Sequence, residues 1–341
     1  MADRPLRNIF TFVQSTTPTG VKEGDTWFND STGRQYFWDG SSWQTLYLAS
    51  NPTGWIGVEG FDIGGTDGTA RTRADRLSFM NDTVSSLASG TSVARFGCSG
   101  CASMSAGYAI AGYSSAALTT TDKLTFATYG IASITSGVTT GTYYIDGFGS
   151  PVAGYACGGY VSAPVSTVYK LLFSNDNVSL LSSNVHTAYI GSGFASVVKG
   201  YYFDGYNSGA LTTVSGLMFN TDAVFTLAST MPRIDYAVCA VNSDTYGYAL
   251  GGYSGAGYLS TMDRLAFSTE ATSSLSSNLG LAQCAASGFN SFISGYFPGG
   301  TTASALSSVY KLTFASETAS SLASALTLAR YYGAGFENLS S

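Results

Sequence analysis

Residue types able to do covalent or metal chemistry are sparse in this chain, and their spacing argues against such chemistry. Cys98 and Cys101 have the separation of a redox pair or of half a zinc site. A four-ligand site needs a second thiol pair or nearby imidazoles. The 341 residues hold only five cysteines and one histidine, His186. His186 has no adjacent carboxylate or nucleophile and reads as an exposed loop residue. Asp82, Asp176, Asp222, Glu270 and Glu317 recur at one position of a repeated unit. Calcium requires several oxygens converging on one point, and carboxylates on separate units serve turns more simply. Asp146, Asp204 and Asp235 are the only acids near central strands that could form the paired carboxylates of glycan hydrolysis. The expectation is a chain that is not an enzyme and has no catalytic residue, metal or cofactor.

Non-covalent chemistry remains, and tyrosine carries it. Tyr113, Tyr160, Tyr206 and Tyr253 directly follow Gly-Gly pairs or near equivalents. Tyr143, Tyr189, Tyr236 and Tyr331, with Phe96, open Gly-rich stretches, and Cys284 breaks that column. A phenol ring offers a flat apolar face and a hydroxyl, suited to stacking on sugars or on a partner surface. These eight tyrosines are the candidate ligand-binding residues. Packing between units, with each hydroxyl satisfied by neighbouring backbone, is the simpler account of a repeated column. The variable loops 66–75, 114–122, 161–168, 207–216, 254–263 and 301–309 are better places for specificity.

An internal repeat positions these residues. A Gly pair or its equivalent ends at Gly65, Gly112, Gly159, Gly205, Gly252 and Gly300, at intervals of 46 to 48 residues. An L-x-F follows each: Leu77/Phe79, Leu124/Phe126, Leu171/Phe173, Leu217/Phe219, Leu265/Phe267 and Leu312/Phe314. Each copy divides into four short strands separated by Gly, Ser, Asn and Asp. In the copy from Gly247 these are "GYALGGY", "MDRLAFST", "TSSLSS" and "AQCAASGF". Four strands per unit at this period predict the blades of an all-β, six-bladed propeller. Small residues in "ARFGCSGC", "AYIGSGF" and "ARYYGAGF" place that strand at the crowded axis. The first copy lacks such a strand and the last ends on one, so residues 329–337 should close the ring. In this register Cys101 shares a column with Phe148, Phe194, Val241, Phe289 and Phe336, so the five cysteines read as buried small hydrophobes.

Composition and charge narrow the function classes. Only 11% of residues are charged and the formal net charge is −6. Phosphate neutralisation needs a basic face, and the loose group Arg71, Arg73 and Arg76 is the densest available. Nucleic acid is therefore not an expected partner. No run of some 18 apolar residues exists for a membrane helix, and the first residues lack a secretory pattern. Asp75–Arg76, Asp122–Lys123 and Asp263–Arg264 read as solvated strand ends of small individual worth.

The order of Arg, inner strand, "GYxxGG" and "[D/Y]-[K/R]-L-x-F" resembles the kelch-type repeat. Arg95 and Arg330 match that family's Arg, and Arg233 lies two residues out of register. The family's Trp in the last strand is absent from all six copies. The resemblance implies a propeller closed by its C-terminal strand and used mainly for binding.

Residues 1–50 form a separate module from the propeller of 51–341. "GDTWFNDSTGRQYFWDGSSW" holds Trp27, Trp38 and Trp43 and predicts a three-stranded meander with turns at 30–33 and 39–41. It resembles a segment common in structural proteins of tailed bacteriophages, especially fibre and tail-associated ones. That resemblance implies a virion protein made in the bacterial cytoplasm. Residues 1–50 would grip other virion proteins or trimerise, and the propeller would bind a host-surface glycan or receptor. The alternatives are a decorating or adaptor subunit and a polysaccharide-degrading propeller.

Overall fold

Short strands broken by Gly, Ser and Asn turns fold into six four-stranded antiparallel sheets arranged as a six-bladed propeller. The computed structural model describes residues 12–14, 16–22, 25–29, 34–38, 40–46 and 58–338. No helix occurs among the described residues. Blade 5 runs outward from the axis through Cys239–Asn242, Tyr246–Leu250, Met262–Ala266 and Thr272–Ser274. The second strand is buried on both faces, the third alternates, and the polar outer strand is solvated, which accounts for its Thr and Ser.

The ring closes as the repeat count requires. Tyr331–Glu337 pairs antiparallel with Glu59–Thr66 and becomes the inner strand of blade 1. This latch leaves no blade with an open inner edge. Outside the ring, Thr26–Asn29, Arg34–Trp38 and Trp43–Leu46 form the expected meander. A strand missed from sequence, Phe12–Val13, adds in parallel to the first of them. Trp27 stacks on Tyr36 at 4.6 Å and contacts Trp43 at 5.6 Å. The turn at 30–33, residue 39 of the second turn and residues 47–57 of the linker at 47–59 lie outside the described residues.

Inner strands pack backbone to backbone around the axis. A Cβ on Gly100 would lie 2.2 Å from the carbonyl oxygen of Gly335, and one on Gly335 would lie 2.3 Å from that of Gly288. Only hydrogen fits there. The core fills six wedges between adjacent blades rather than one centre. In each wedge an aromatic of one second strand stacks on the L-x-F phenylalanine of the next blade. Tyr108 meets Phe173 at 5.5 Å, Tyr155 meets Phe219 at 5.4 Å and Tyr296 meets Phe79 at 4.9 Å. All five cysteines are buried and unpaired, in keeping with the column assignment.

The hairpin carboxylates do more than turn the chain. Asp82, Asp176, Asp222, Glu270 and Glu317 all have φ between 50° and 55°, and each binds a cation and a tyrosine of the preceding blade. Asp176 accepts from Lys123 Nζ and Tyr108 Oη, both at 2.7 Å. Lys170, Lys199, Arg264 and Lys311 repeat the arrangement. Between blades 1 and 2 the order is inverted: Tyr129 takes the carboxylate's place and binds Arg76 at 2.9 Å and Glu59 at 3.0 Å.

Candidate functional site

The two ends of the ring differ in chemistry. At one end the chain leaves each second strand through its long loop and returns to the next inner strand. There the Gly pair turns the backbone: Gly64 and Gly65 have φ of 73° and 89°, a region closed to most side chains. The residue after the pair bridges back to the start of its blade's inner strand. Tyr113 pairs with Phe96, Tyr160 with Tyr143, Tyr206 with Tyr189 and Tyr253 with Tyr236. The structure thus joins two columns that are 17 residues apart in sequence.

Their rings form one arc over blades 2 to 5. Centroids of successive rings are 4.9 Å apart for Tyr113–Tyr143, 5.5 Å for Tyr143–Tyr160, and 5.1 Å for Tyr160–Tyr189. The series continues through Tyr206 and Tyr236 to Tyr253 at 5.7, 5.2 and 5.7 Å. Interplanar angles of 56° to 74° make these edge or tilted contacts, the favourable geometry for aromatic pairs. Every ring in the arc is half-buried. Tyr113 Oη donates to the Ser115 carbonyl at 3.2 Å. Among the described residues, the hydroxyls of Tyr143, Tyr160, Tyr189, Tyr206, Tyr236, Tyr253 and Tyr331 make no hydrogen bond within the chain. Packing between blades is therefore real, but among the described residues the expected satisfaction of the hydroxyls by backbone is found only at Tyr113. Burial and the neighbouring phenols push Tyr143, Tyr189 and Tyr236 upward, so they are neutral donors at physiological pH. Tyr331 sits apart, edge to face with Tyr332 at 5.4 Å, and Thr66, Cys284 and Thr301 occupy the other column positions of blades 1 and 6.

Beneath the arc a backbone girdle closes the axis. Gly97, Tyr144, Ile190, Ala237, Ala285 and Tyr332 all have φ between 52° and 61°. Amide to carbonyl bonds link Gly97 to Tyr332, Tyr332 to Ala285, Ala285 to Ala237, Ala237 to Ile190, and Ile190 to Tyr144, at 2.7–3.0 Å. Ile145 N to Gly97 O at 3.3 Å completes the circuit. Tyr144 and Tyr332 meet edge to face at 4.9 Å. Nothing in the residue types of this column announces the girdle.

An axial cavity of ≈ 120 Å³ includes Asp146, Ser192, Asn242, Ser287, Asn290 and Glu337 in its lining. Burial pushes Asp146 and Glu337 up to about 7. Asp146 Oδ2 accepts from Ser192 Oγ at 3.0 Å. Asp204 and Asp235 do not reach this cavity. They are buried, with Asp204 held far above the carboxylate range by burial and by the charge of Asp235. Among the described residues no group of three or more His, Cys, Asp or Glu could hold a metal ion.

Two readings of the ionisable residues require correction. Asp75, Asp122 and Asp263 are buried, not solvated strand ends. Arg95 lies 3.0 Å from Asp122 with both side chains fully buried, and Arg330 contacts Asp75 at 2.8 Å and Asp62 at 2.6 Å. Arg233, despite its shifted register, reaches Asp263 at 3.0 Å. His186 occupies the column of Arg233 one blade earlier and is half-buried. Its ring nitrogens lie 2.9 Å from Ser215 Oγ and from the Asp204 carbonyl, and burial lowers its pKa.

The opposite end carries the tight hairpins between inner and second strands. Met104, Val152, Val198 and Ile293 at these hairpins are 57–65% exposed. The chain enters blade 1 at Val58–Glu59 and leaves it at Glu337–Asn338 on this same end. The chain matches no protein-family model and no curated protein.

Proposed function

We propose that this chain is an appendage protein of a tailed-bacteriophage virion whose propeller binds a host-surface glycan or glycosylated receptor at its tyrosine end. The observation that carries the binding assignment is the arc of tilted phenol rings whose hydroxyls, Tyr113 apart, have no partner among the described residues. Rings already fixed by their neighbours lose little freedom when a sugar stacks on them. Uncommitted hydroxyls supply donors and acceptors to sugar hydroxyls without the cost of breaking an internal bond. The virion assignment rests on the Trp-rich segment of residues 1–50, which would grip the particle. Chain entry and exit at the hairpin end suit this, since the tyrosine end would then point outward.

The apolar hairpin rim favours a second reading, a decorating subunit that packs Met104, Val152, Val198 and Ile293 against a neighbouring virion protein. An array of bacterial surface glycans, probed with the full chain, separates the two. The binding reading predicts discrete positives that weaken about tenfold or more in Tyr160→Ala/Tyr206→Ala, a loss typical of removing stacked anchors. An array without positives, together with no binding to host cells, would favour the decorating subunit.

A further inference from the structure

The arc is interrupted at blades 6 and 1, and among the described residues that gap holds the propeller's one cation without an ion pair. Ten of the eleven Lys and Arg side chains of the propeller lie within ion-pair distance of a carboxylate; among the described residues Arg73 alone does not. Arg73 is half-buried in the blade 1 loop at the tyrosine end. Its Nε donates to Thr327 Oγ1 at 2.9 Å, which orients the guanidinium and leaves both Nη groups without a partner among the described residues.

The repeat shows how unusual this residue is. The other blades carry Thr120, Thr167, Thr213, Thr261 and Ser308 at the position of Arg73. Two residues earlier, Arg71 replaces the Leu or Val found in every other blade, and it is neutralised by a two-point contact with Asp67 at 3.0 and 2.6 Å. Loops 114–121, 161–168, 207–214, 254–261 and 301–308 hold no charged residue. The charged sector adjoins one end of the aromatic arc and the separate Tyr331. Arg71 bridges to Arg95, next to Phe96 where the arc begins, and Thr327 lies four residues before Tyr331.

We infer that the Arg73 sector takes an oxyanion, a carboxylate or a phosphate, borne by a glycan whose neutral sugars lie on the tyrosine arc. This rests on the glycan-binding reading and adds the charge class of the ligand to it. A guanidinium with two free Nη groups presents parallel N–H donors that match either oxyanion in a two-point geometry. Of the four column positions in blades 6 and 1 only Tyr331 is aromatic, with Cys284, Thr301 and Thr66 at the others, so the stacking platform is broken there and the bound element is an anionic group rather than a further sugar face.

The test compares matched pairs of immobilised probes with the full chain: oligogalacturonate against its carboxyl-reduced form, and a phosphodiester-linked glycan against its dephosphorylated form. The inference predicts at least about a tenfold preference for one charged member, falling as salt is raised. Arg73→Thr, which installs the residue type of the other blades, should abolish that preference while keeping binding to the neutral form. Arg73→Lys should restore part of it, because charge survives without the fork. The pair that shows the preference identifies carboxylate or phosphate as the source. Equal binding of charged and neutral members by the wild-type chain would overturn the inference and leave the glycan reading standing. Unchanged preference in Arg73→Thr would also overturn it. No binding of any probe, charged or neutral, would remove the glycan reading and this inference together.

Discussion

At the residue scale, the ring's ionisable groups divide by whether a cation is within reach. Carboxylates facing Lys or Arg form inter-blade clamps or buried pairs. Among the described residues Asp146, Asp235, Asp244 and Glu337 have no partner within ion-pair distance, and burial is the first cause of their elevation to about 6–7. A carboxyl held neutral in the fold contributes stability that is fully present below its unfolded value near 4. That contribution is lost as pH rises through the folded value near 7. Thermal unfolding should therefore occur at lower temperature at pH 8 than at pH 5, with each group worth on the order of 2–4 kcal/mol. Asp146→Asn, which keeps an acceptor for the Gly147 amide and turns an NH2 donor to Ser192 Oγ, should make that pH slope shallower. A slope identical in the variant would show that Asp146 is not buried as described. Little of this was legible in the sequence. Asp75, Asp122 and Asp263 stand beside Arg or Lys in strands, and only the fold shows that their partners are instead Arg330, Arg95 and Arg233.

At the scale of elements, the period of the repeat made the strands visible, but not the contacts between blades. The glycine columns were readable because their cause is geometric and strict. Gly335→Ala would push a Cβ to 2.3 Å from the Gly288 carbonyl oxygen, a contact of strand backbone with strand backbone. Denaturant unfolding should show a loss of about 2–3 kcal/mol from overpacking. Gly209, whose added Cβ meets nothing within 4 Å, is the control, and Gly209→Ala should stay within about 0.5 kcal/mol of wild type. Equal effects at both sites would contradict the packed inner strands. The clamps were hidden for a different reason. Tyr108 and Lys123 meet Asp176 across 68 and 53 residues, and a residue in a turn position already has a sufficient local explanation. The girdle was hidden because Gly, Tyr, Ile, Ala, Ala and Tyr share no chemistry, only a backbone conformation.

At the scale of the whole molecule, six wedges and one latch make stability a property of the closed circle. Removal of residues 329–341 deletes the inner strand of blade 1 and with it Arg330, which ties Asp62 and Asp75 together. The truncated chain should unfold at a clearly lower temperature and expose a sheet edge prone to association, as scanning calorimetry and light scattering would reveal. An unchanged midpoint would mean that the other five blades hold the ring alone. Closure also sorts the aromatic residues. One set stacks inside the wedges, where Tyr108, Tyr155, Tyr201, Tyr248 and Tyr296 also hold the carboxylates of the next blade. The other set lies on one end with hydroxyls uncommitted, and the sequence alone could not separate the two. The account stands on that second set as the binding face. Its most direct test is an NMR titration of the full chain, labelled in its tyrosine rings, with a glycan found positive on the array. Shifts concentrated in Tyr143, Tyr160, Tyr189, Tyr206, Tyr236 and Tyr253 are the predicted result. Shifts confined to the wedge tyrosines or to the module at residues 12–46, with the arc unmoved, would contradict it.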